Sequence, residues 1–404
     1  MSFFRERLEA FPRLADYRLA KAAGYWPYYK TVESASRPRF RIEGQDYINF
    51  GSNNYLSLSY HPKVIEAAQV ATRRYGTGVT GSRLLNGTLD LHRTLEAELA
   101  EFYEREAALV FSTGYVANVS TISGLLNRHD YVVLDKDAHN SLLTGAQLSG
   151  ATMKRFGHND VVRLGKILDE LPPQPGKGVI VDGVYSMGGD TAPLPALVEL
   201  CRAHPNAFLL DDEAHGFGVL GARGRGAAEH LGVLADVDLV TITFSKTLGS
   251  CGGALVGSAD AIELLTLDAD QLIFTASNTP GSVAAALAAL RILREAPEIT
   301  AQLRDNVTRF VGLLTERGVP VNPAESAIIT IPLRQRDEVS AVVLARELLE
   351  AGVFVNPVVA PAVQRGLGLI RLSLMLDHTP ALLEEAAESI FKVLNDNDQL
   401  PDGI

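Results

Sequence analysis

The run Asp238-Leu239-Val240-Thr241-Ile242-Thr243-Phe244-Ser245-Lys246-Thr247-Leu248-Gly249 is apolar and β-branched until it stops at a single lysine. It reads as a buried strand ending in an amine. Alone, such a lysine would be a solvated strand end, because Lys is rarely buried unpaired. An earlier segment has the same build: Ala207-Phe208-Leu209-Leu210-Asp211-Asp212-Glu213-Ala214-His215-Gly216 is an apolar strand that ends in acids and a histidine. Two strand ends therefore carry an amine, a carboxylate and an imidazole.

Those three groups are what a pyridoxal 5'-phosphate (PLP) site requires. The amine forms a Schiff base with the aldehyde and must be partly desolvated to act as nucleophile and base. The carboxylate keeps a proton on the pyridine nitrogen, which makes the ring an electron sink. The imidazole can hydrogen-bond the ring hydroxyl. Asp212, followed by Lys246 at the end of a later strand, resembles fold-type I PLP enzymes. More narrowly, Asp212-Glu213-Ala214-His215 and Thr243-Phe244-Ser245-Lys246 resemble the α-oxoamine synthase family, in its serine palmitoyltransferase branch.

Composition is that of an ordinary soluble globular protein. At 404 residues and 47% hydrophobic content, the chain can bury a large core and suggests two or three domains. A net charge of -11 argues against nucleic acid as a main partner, since phosphate backbones are bound by basic surfaces. Cys201 and Cys251 are too few for a disulfide framework, so a reducing cytoplasm is the natural setting, and a zinc site is unsupported. Met1 to Ala10 lacks the apolar core of a signal peptide. The run Val283–Leu290 is broken by Arg291 and far shorter than the ~20 residues of a spanning helix, so it reads as a core helix.

Further motifs carry the resemblance along the chain. Residues up to about 45 read as a helical arm, and Tyr25-Trp26-Pro27-Tyr28-Tyr29 as aromatics packed against the body or a partner subunit. A strand pair, Arg39–Ile42 and Tyr47–Phe50, precedes Asn53-Asn54-Tyr55-Leu56-Ser57-Leu58, which is similar to the family's Asn-Tyr-Leu-Gly-Leu signature with Ser57 for the glycine. Gly76 to Arg83 with Asn86-Gly87-Thr88 and His92 is similar to the segment that meets the neighbouring subunit's active site. Ser112-Thr113-Gly114-Tyr115 stands at a helix start, where free N–H groups favour a phosphate. His158-Asn159-Asp160 reads as a structural turn into the next helix, and Arg223 to Gly226 as a structural loop. Asp182-Gly183-Val184-Tyr185-Ser186-Met187 has Asp182 where the family commonly has Glu. After Phe274-Thr275-Ala276-Ser277, Asn278-Thr279-Pro280 replaces the usual Leu-Pro-Pro. Gln364, after Pro361-Ala362-Val363, and Leu376 also depart from frequent residues, which bears on acyl-chain specificity.

The resemblance extends from about residue 45 to 380. It implies an α/β, fold-type I PLP-dependent transferase. The expected architecture is an N-terminal arm (1–45), a large domain (46–280) with a mostly parallel seven-stranded sheet flanked by helices, and a smaller C-terminal α/β domain (281–404). It assigns catalysis to Lys246, His139, Asp212 and His215, with His139 stacked on the pyridine face. Cofactor contacts fall to Gly114, Tyr115, His139, Ser186, Asp212, His215, Thr243, Ser245, Lys246 and, across a dimer interface, Thr275. Substrate contacts fall to Arg371, Asn54 and Ser82, with Arg371 binding the α-carboxylate. The implied reaction condenses an amino acid, L-serine, with a long-chain acyl-CoA, palmitoyl-CoA, with loss of carbon dioxide. Relatives in the family use glycine or alanine, or an acyl carrier protein thioester. A noncatalytic partner subunit would lack the Schiff-base lysine, which is present. A homodimer with shared active sites, no metal, no nucleic-acid partner and no integral membrane segment complete the expectation. A hydrophobic product leaves room for peripheral contact with the inner face of the membrane.

Overall fold

The computed structural model describes residues 3–24, 26–335, 337–360, 363 and 365–401. Tyr25, Pro361, Ala362 and Gln364, singled out above, lie outside the described residues. The strands in chain order are β1 (Arg39–Ile42), β2 (Gln45–Asn49), β3 (Ala107–Phe111), β4 (Tyr131–Asp135), β5 (Thr152–Phe156), β6 (Lys177–Asp182), β7 (Ala207–Asp212), β8 (Leu239–Thr243), β9 (Gly253–Gly257), β10 (Ile328–Pro332), β11 (Val353–Phe354), β12 (Asn356–Val358) and β13 (Leu369–Ser373).

The central sheet has seven strands in the order β3-β9-β8-β7-β6-β4-β5. All neighbours run parallel except β9, which is antiparallel to both β3 and β8. Helices cover both faces, so β6 and β8 are buried along their whole length and read as continuous apolar runs. In an open parallel sheet the crevice for a ligand lies beyond the carboxyl ends of the strands. Asp135, Asp182, Asp212 and Thr243 are the last residues of β4, β6, β7 and β8. The polar residues are thus set on one rim by the strand direction alone.

The run 283–290 lies within the helix Pro280–Glu295, where it is buried apart from a partly covered Ala288. The start of this helix runs close against the helix Pro62–Tyr75: a Cβ on Gly281 would sit 2.9 Å from Thr72 Oγ1. Pro297 then separates it from a second helix, Glu298–Glu316, so two helices precede β10. β10, β13 and β12 form an antiparallel sheet in the order β10-β13-β12. The β1–β2 hairpin pairs through β2 with β11 in parallel, Ile48 opposite Val353. Ser373 N donates to Phe50 O at 2.8 Å and Leu376 N to Tyr55 O at 2.7 Å. The segment 49–55 is therefore stitched to the end of β13. Two residues beyond it, Ser57 adopts φ +59°, a left-handed conformation that favours glycine and accounts for the glycine in the family signature.

Candidate active site

A cavity of about 240 Å3 opens at the carboxyl rim of the sheet, lined by Gly114, Tyr115, Asn118, His139, Asp182, Asp212, His215, Thr243, Ser245 and Lys246 among others. Of the residues foreseen at a cofactor, all but Ser186 and Thr275 line it, brought together from the ends of β4, β7 and β8 and one helix start. Gly114 opens the helix Gly114–Leu125, capped by Thr113 Oγ1, which accepts from Val116 N at 3.0 Å. Among the described residues the Gly114 and Tyr115 amides have no acceptor, and the helix dipole adds its positive end. Any side chain on Gly114 would bring Cβ to 2.7 Å from Thr243 Cβ. Only glycine lets this helix end reach β8. Thr243 and Ser245 share a hydrogen bond at 2.9 Å beside it.

Asp212 is buried, yet both oxygens are satisfied: Oδ2 accepts from Asn118 Nδ2 at 2.6 Å and Oδ1 from Ala214 N at 2.9 Å. Asn118 also donates to Ser141 Oγ at 2.8 Å. Asp182 stands directly opposite Asp212 in the β6–β7 register and accepts from His139 N at 2.8 Å. Burial first, and the Asp212 charge second, push its carboxyl well above the ordinary range. The site thus pairs a fully hydrogen-bonded carboxyl, Asp212, with one, Asp182, biased towards the protonated form. Asp211 and Glu213, on either side of Asp212, do not line the cavity.

Lys246 lies three residues beyond β8, with part of its surface open to the cavity and protein around the rest. Its Nζ has no hydrogen-bond partner or ion pair among the described residues. Burial lowers its pKa from 10.5 to about 8, opposed by Asp212 and Asp182 and assisted by Arg371. The amine therefore reaches its neutral form at mildly basic pH, where an ordinary lysine is still charged. His215 is buried and pushed well below its usual range by burial, then by Lys246 and Arg371; Tyr55 Oη lies 2.7 Å from its Nδ1. His139 is open to the cavity and its ring meets that of Tyr115 edge-on at 6.5 Å.

Arg371, on β13, is buried next to this cluster. Nε donates to Ser186 O at 2.7 Å, Nη1 to Ser373 Oγ at 2.8 Å and Nη2 to Asn53 Oδ1 at 3.2 Å. A guanidinium has five donors, so these three bonds leave one N–H on each terminal nitrogen, with the Tyr55 hydroxyl also within the guanidinium's reach. Ser186 enters through its carbonyl. The neighbouring carboxamide is that of Asn53, whereas Asn54 Nδ2 donates to Ser36 O and its Oδ1 accepts from Ser59 N. Ser82 and Thr275 are not on this cavity's wall; Ser82 forms a bridge with Ala276, next to Thr275. Asn278 replaces the proline loop by donating to Phe111 O at 3.1 Å, while Thr279 caps the following helix.

Asn53, Tyr55, Asn118 and Asp182 are additions that the sequence reading did not assign. Asn118 had a local signal, since it lies one helical turn beyond Gly114 and faces the same way. Asn53 had none, because its role depends on a strand some 320 residues later.

The groups present fit PLP. Unclaimed amides at a helix start suit a phosphate, a hydrogen-bonded buried carboxylate suits a pyridinium, and a partnerless amine suits an aldehyde. Fold and site together define a fold-type I PLP-dependent transferase. The family model for aminotransferase class I and II matches residues 45–390. A serine palmitoyltransferase of Sphingobacterium spiritivorum is 41% identical over 373 residues, covering 92% of this chain and 93% of that protein. An 8-amino-7-oxononanoate synthase of Pelobacter propionicus is 38% identical, covering 92% and 94%. A high-resolution structure of a serine palmitoyltransferase with PLP as its internal aldimine superposes with a TM-score of 0.93 at 36% identity, covering 97% and 99%. The chain belongs to the aminotransferase class I and II family and, within it, to the α-oxoamine synthases, which are PLP-dependent acyltransferases.

Proposed function

We propose that the chain condenses L-serine with palmitoyl-CoA to give 3-ketosphinganine, CoA and carbon dioxide. The observation that carries this reading is the convergence of Lys246, Asp212, His139 and His215 on one cavity with the Arg371 guanidinium beside it. The serine palmitoyltransferase relatives and the Phe274-Thr275-Ala276-Ser277 form support the choice of substrates.

When bound, PLP supplies an electron sink for negative charge at the amino acid's α-carbon. Gly114 and Tyr115 would hold the phosphate with their amides, and Thr243 and Ser245 with their hydroxyls. Asp212, fixed by Asn118, keeps a proton at the ring nitrogen. His139, open to the cavity, would cover the ring face, and His215 would orient the ring hydroxyl. Lys246, neutral through burial, takes the α-proton and returns it. Arg371 grips the α-carboxylate with its remaining N–H donors. The net reaction joins the α-carbon to the acyl carbon and releases thiol and carbon dioxide.

In the proposed homodimer, Ser82 and Thr275 serve the partner's site. The exposed apolar side chains Leu84, Leu85 and Phe274 around them support such an interface. We also propose the division 1–45, 46–280 and 281–404, with the β2–β11 pairing as the tie between its ends, and a cytoplasmic setting with peripheral membrane contact. No helix among the described residues is long and apolar enough to cross a membrane.

A second reading, an 8-amino-7-oxononanoate synthase-like condensation of another amino acid with a different acyl thioester, is favoured by relatives of nearly equal similarity. Mass spectrometry of products from mixed serine, glycine and alanine with mixed acyl-CoA and acyl carrier protein thioesters separates the two. A dominant 3-ketosphinganine is expected. A dominant product from alanine or a short acyl chain overturns the pairing and leaves the family assignment untouched.

A further inference from the structure

We propose that His158 is a positioning residue for the substrate carboxylate: it clamps the loop after β6 whose Ser186 carbonyl aims the Arg371 guanidinium. The inference rests on the reading of Arg371 as the carboxylate grip.

The clamp is ionic by geometry. His158 Nδ1 lies 3.2 Å from Oδ1 of Asp135, the buried last residue of β4, and Nε2 lies 2.7 Å from Asp190 Oδ2. Carboxylate oxygens only accept, so both ring nitrogens donate and the ring is an imidazolium. Burial opposes that charge, but the hydrogen bonds to Asp135 and Asp190 outweigh it and raise the pKa to about 10. Asp137 Oδ2 stands 3.8 Å from Nδ1, and the Tyr185 ring packs edge-on at 4.4 Å. Asn159 adds Nδ2 donors to Asp190 Oδ2 at 3.1 Å and to Thr191 O at 3.0 Å.

The loop between Asp190 and Ser186 transmits position because it is short and internally bonded. Tyr185 N donates to Asp190 O at 2.9 Å, and Gly189 N to Tyr185 O at 2.8 Å. On the opposite side Glu325 Oε2 accepts from Thr191 N at 2.8 Å, and Ser326 Oγ donates to Gly189 O at 2.8 Å. His158 and Asn159 tie the loop through Asp135 to the sheet whose carboxyl rim carries Asp212 and leads to Lys246. Glu325 and Ser326 tie it to the segment preceding β10, the neighbour of β13. The His158 anchor therefore sets the spacing between the amine and the carboxylate grip.

The test uses the PLP-loaded protein and reads ligand dissociation constants from the cofactor's absorbance change, for L-serine and for L-serinamide, which lacks the carboxylate. Thermal melts check folding. In H158Q, L-serine is expected to bind about tenfold more weakly, the size of one charge-assisted hydrogen bond, with L-serinamide unchanged. D190N, which removes the same bond from the loop side, is expected to match it and decides the question if H158Q does not fold. Equal weakening of both ligands, or of neither, overturns the proposal. R371Q separates the underlying reading: L-serine binding unchanged in R371Q removes Arg371 from the carboxylate. Weakening in R371Q with none in H158Q or D190N removes only the clamp.

Discussion

Lys177 and Lys246 are both held within the central sheet region, at opposite rims. Lys177 begins β6 and is 1% exposed, yet its Nζ donates to three carbonyls, Pro205 at 2.9 Å and Pro173 and Pro175 at 3.3 Å. Those carbonyls come from proline-rich loops, whose residues offer acceptors without competing N–H donors. Lys246 lies beyond the end of β8, with two carboxyl groups near enough to act through space but none bonded to its amine. Enclosure alone does not make a lysine reactive. Withholding partners does, because an ammonium that has lost water and gained nothing releases its proton.

Exchanging each lysine breaks the comparison most directly. Lys246→Ala is expected to lower the condensation rate at least ~10^3-fold, the range of a lost general base. It should also abolish the borohydride-trapped adduct in the protein's mass spectrum. Wild-type turnover in this variant would remove Lys246 from the mechanism. Lys177→Met leaves three buried carbonyls without their donor, so we expect a loss of about 3 kcal/mol in urea unfolding and near-normal turnover per folded molecule. A stable Lys177→Met protein would mean that the proline carbonyls find other donors.

A subtler difference lies in pH. An amine with a folded pKa of about 8 and an ordinary value of 10.5 binds fewer protons folded than unfolded between those limits. The stability of the PLP-free protein therefore rises with pH across that window, by about 2–3 kcal/mol relative to Lys246→Ala. Denaturant unfolding of both proteins from pH 7 to 10.5 measures the difference. Parallel curves would show an amine already matched to its surroundings.

The chemistry of the rim was legible because each group stands at the end of an apolar run: Asp212 after Leu209-Leu210, and Lys246 after the β8 residues. The phosphate end was legible because a helix start has fixed hydrogen-bonding needs. What could not be seen is whatever depends on residues meeting across the chain. Asn53 and Asn54 are adjacent amides, and only the return of β13 decides that Asn53 touches Arg371. Asp182, one methylene shorter than the family's acid, still reaches the cavity wall because the β6–β7 register sets it opposite Asp212. His158 reads locally as a turn; its two carboxylate partners are Asp135 before it and Asp190 well after it.

The parallel pairing of β2 with β11 has a consequence for biosynthesis. Ile48 leaves the ribosome roughly three hundred residues before Val353 exists, which at about 5–20 residues per second is roughly 15–60 s. Through that interval the hairpin presents an unfilled strand edge and its apolar residues, Phe40, Ile42 and Ile48, to solvent. Completion of the nascent protein, rather than emergence of its first half, sets the moment at which this surface is sealed.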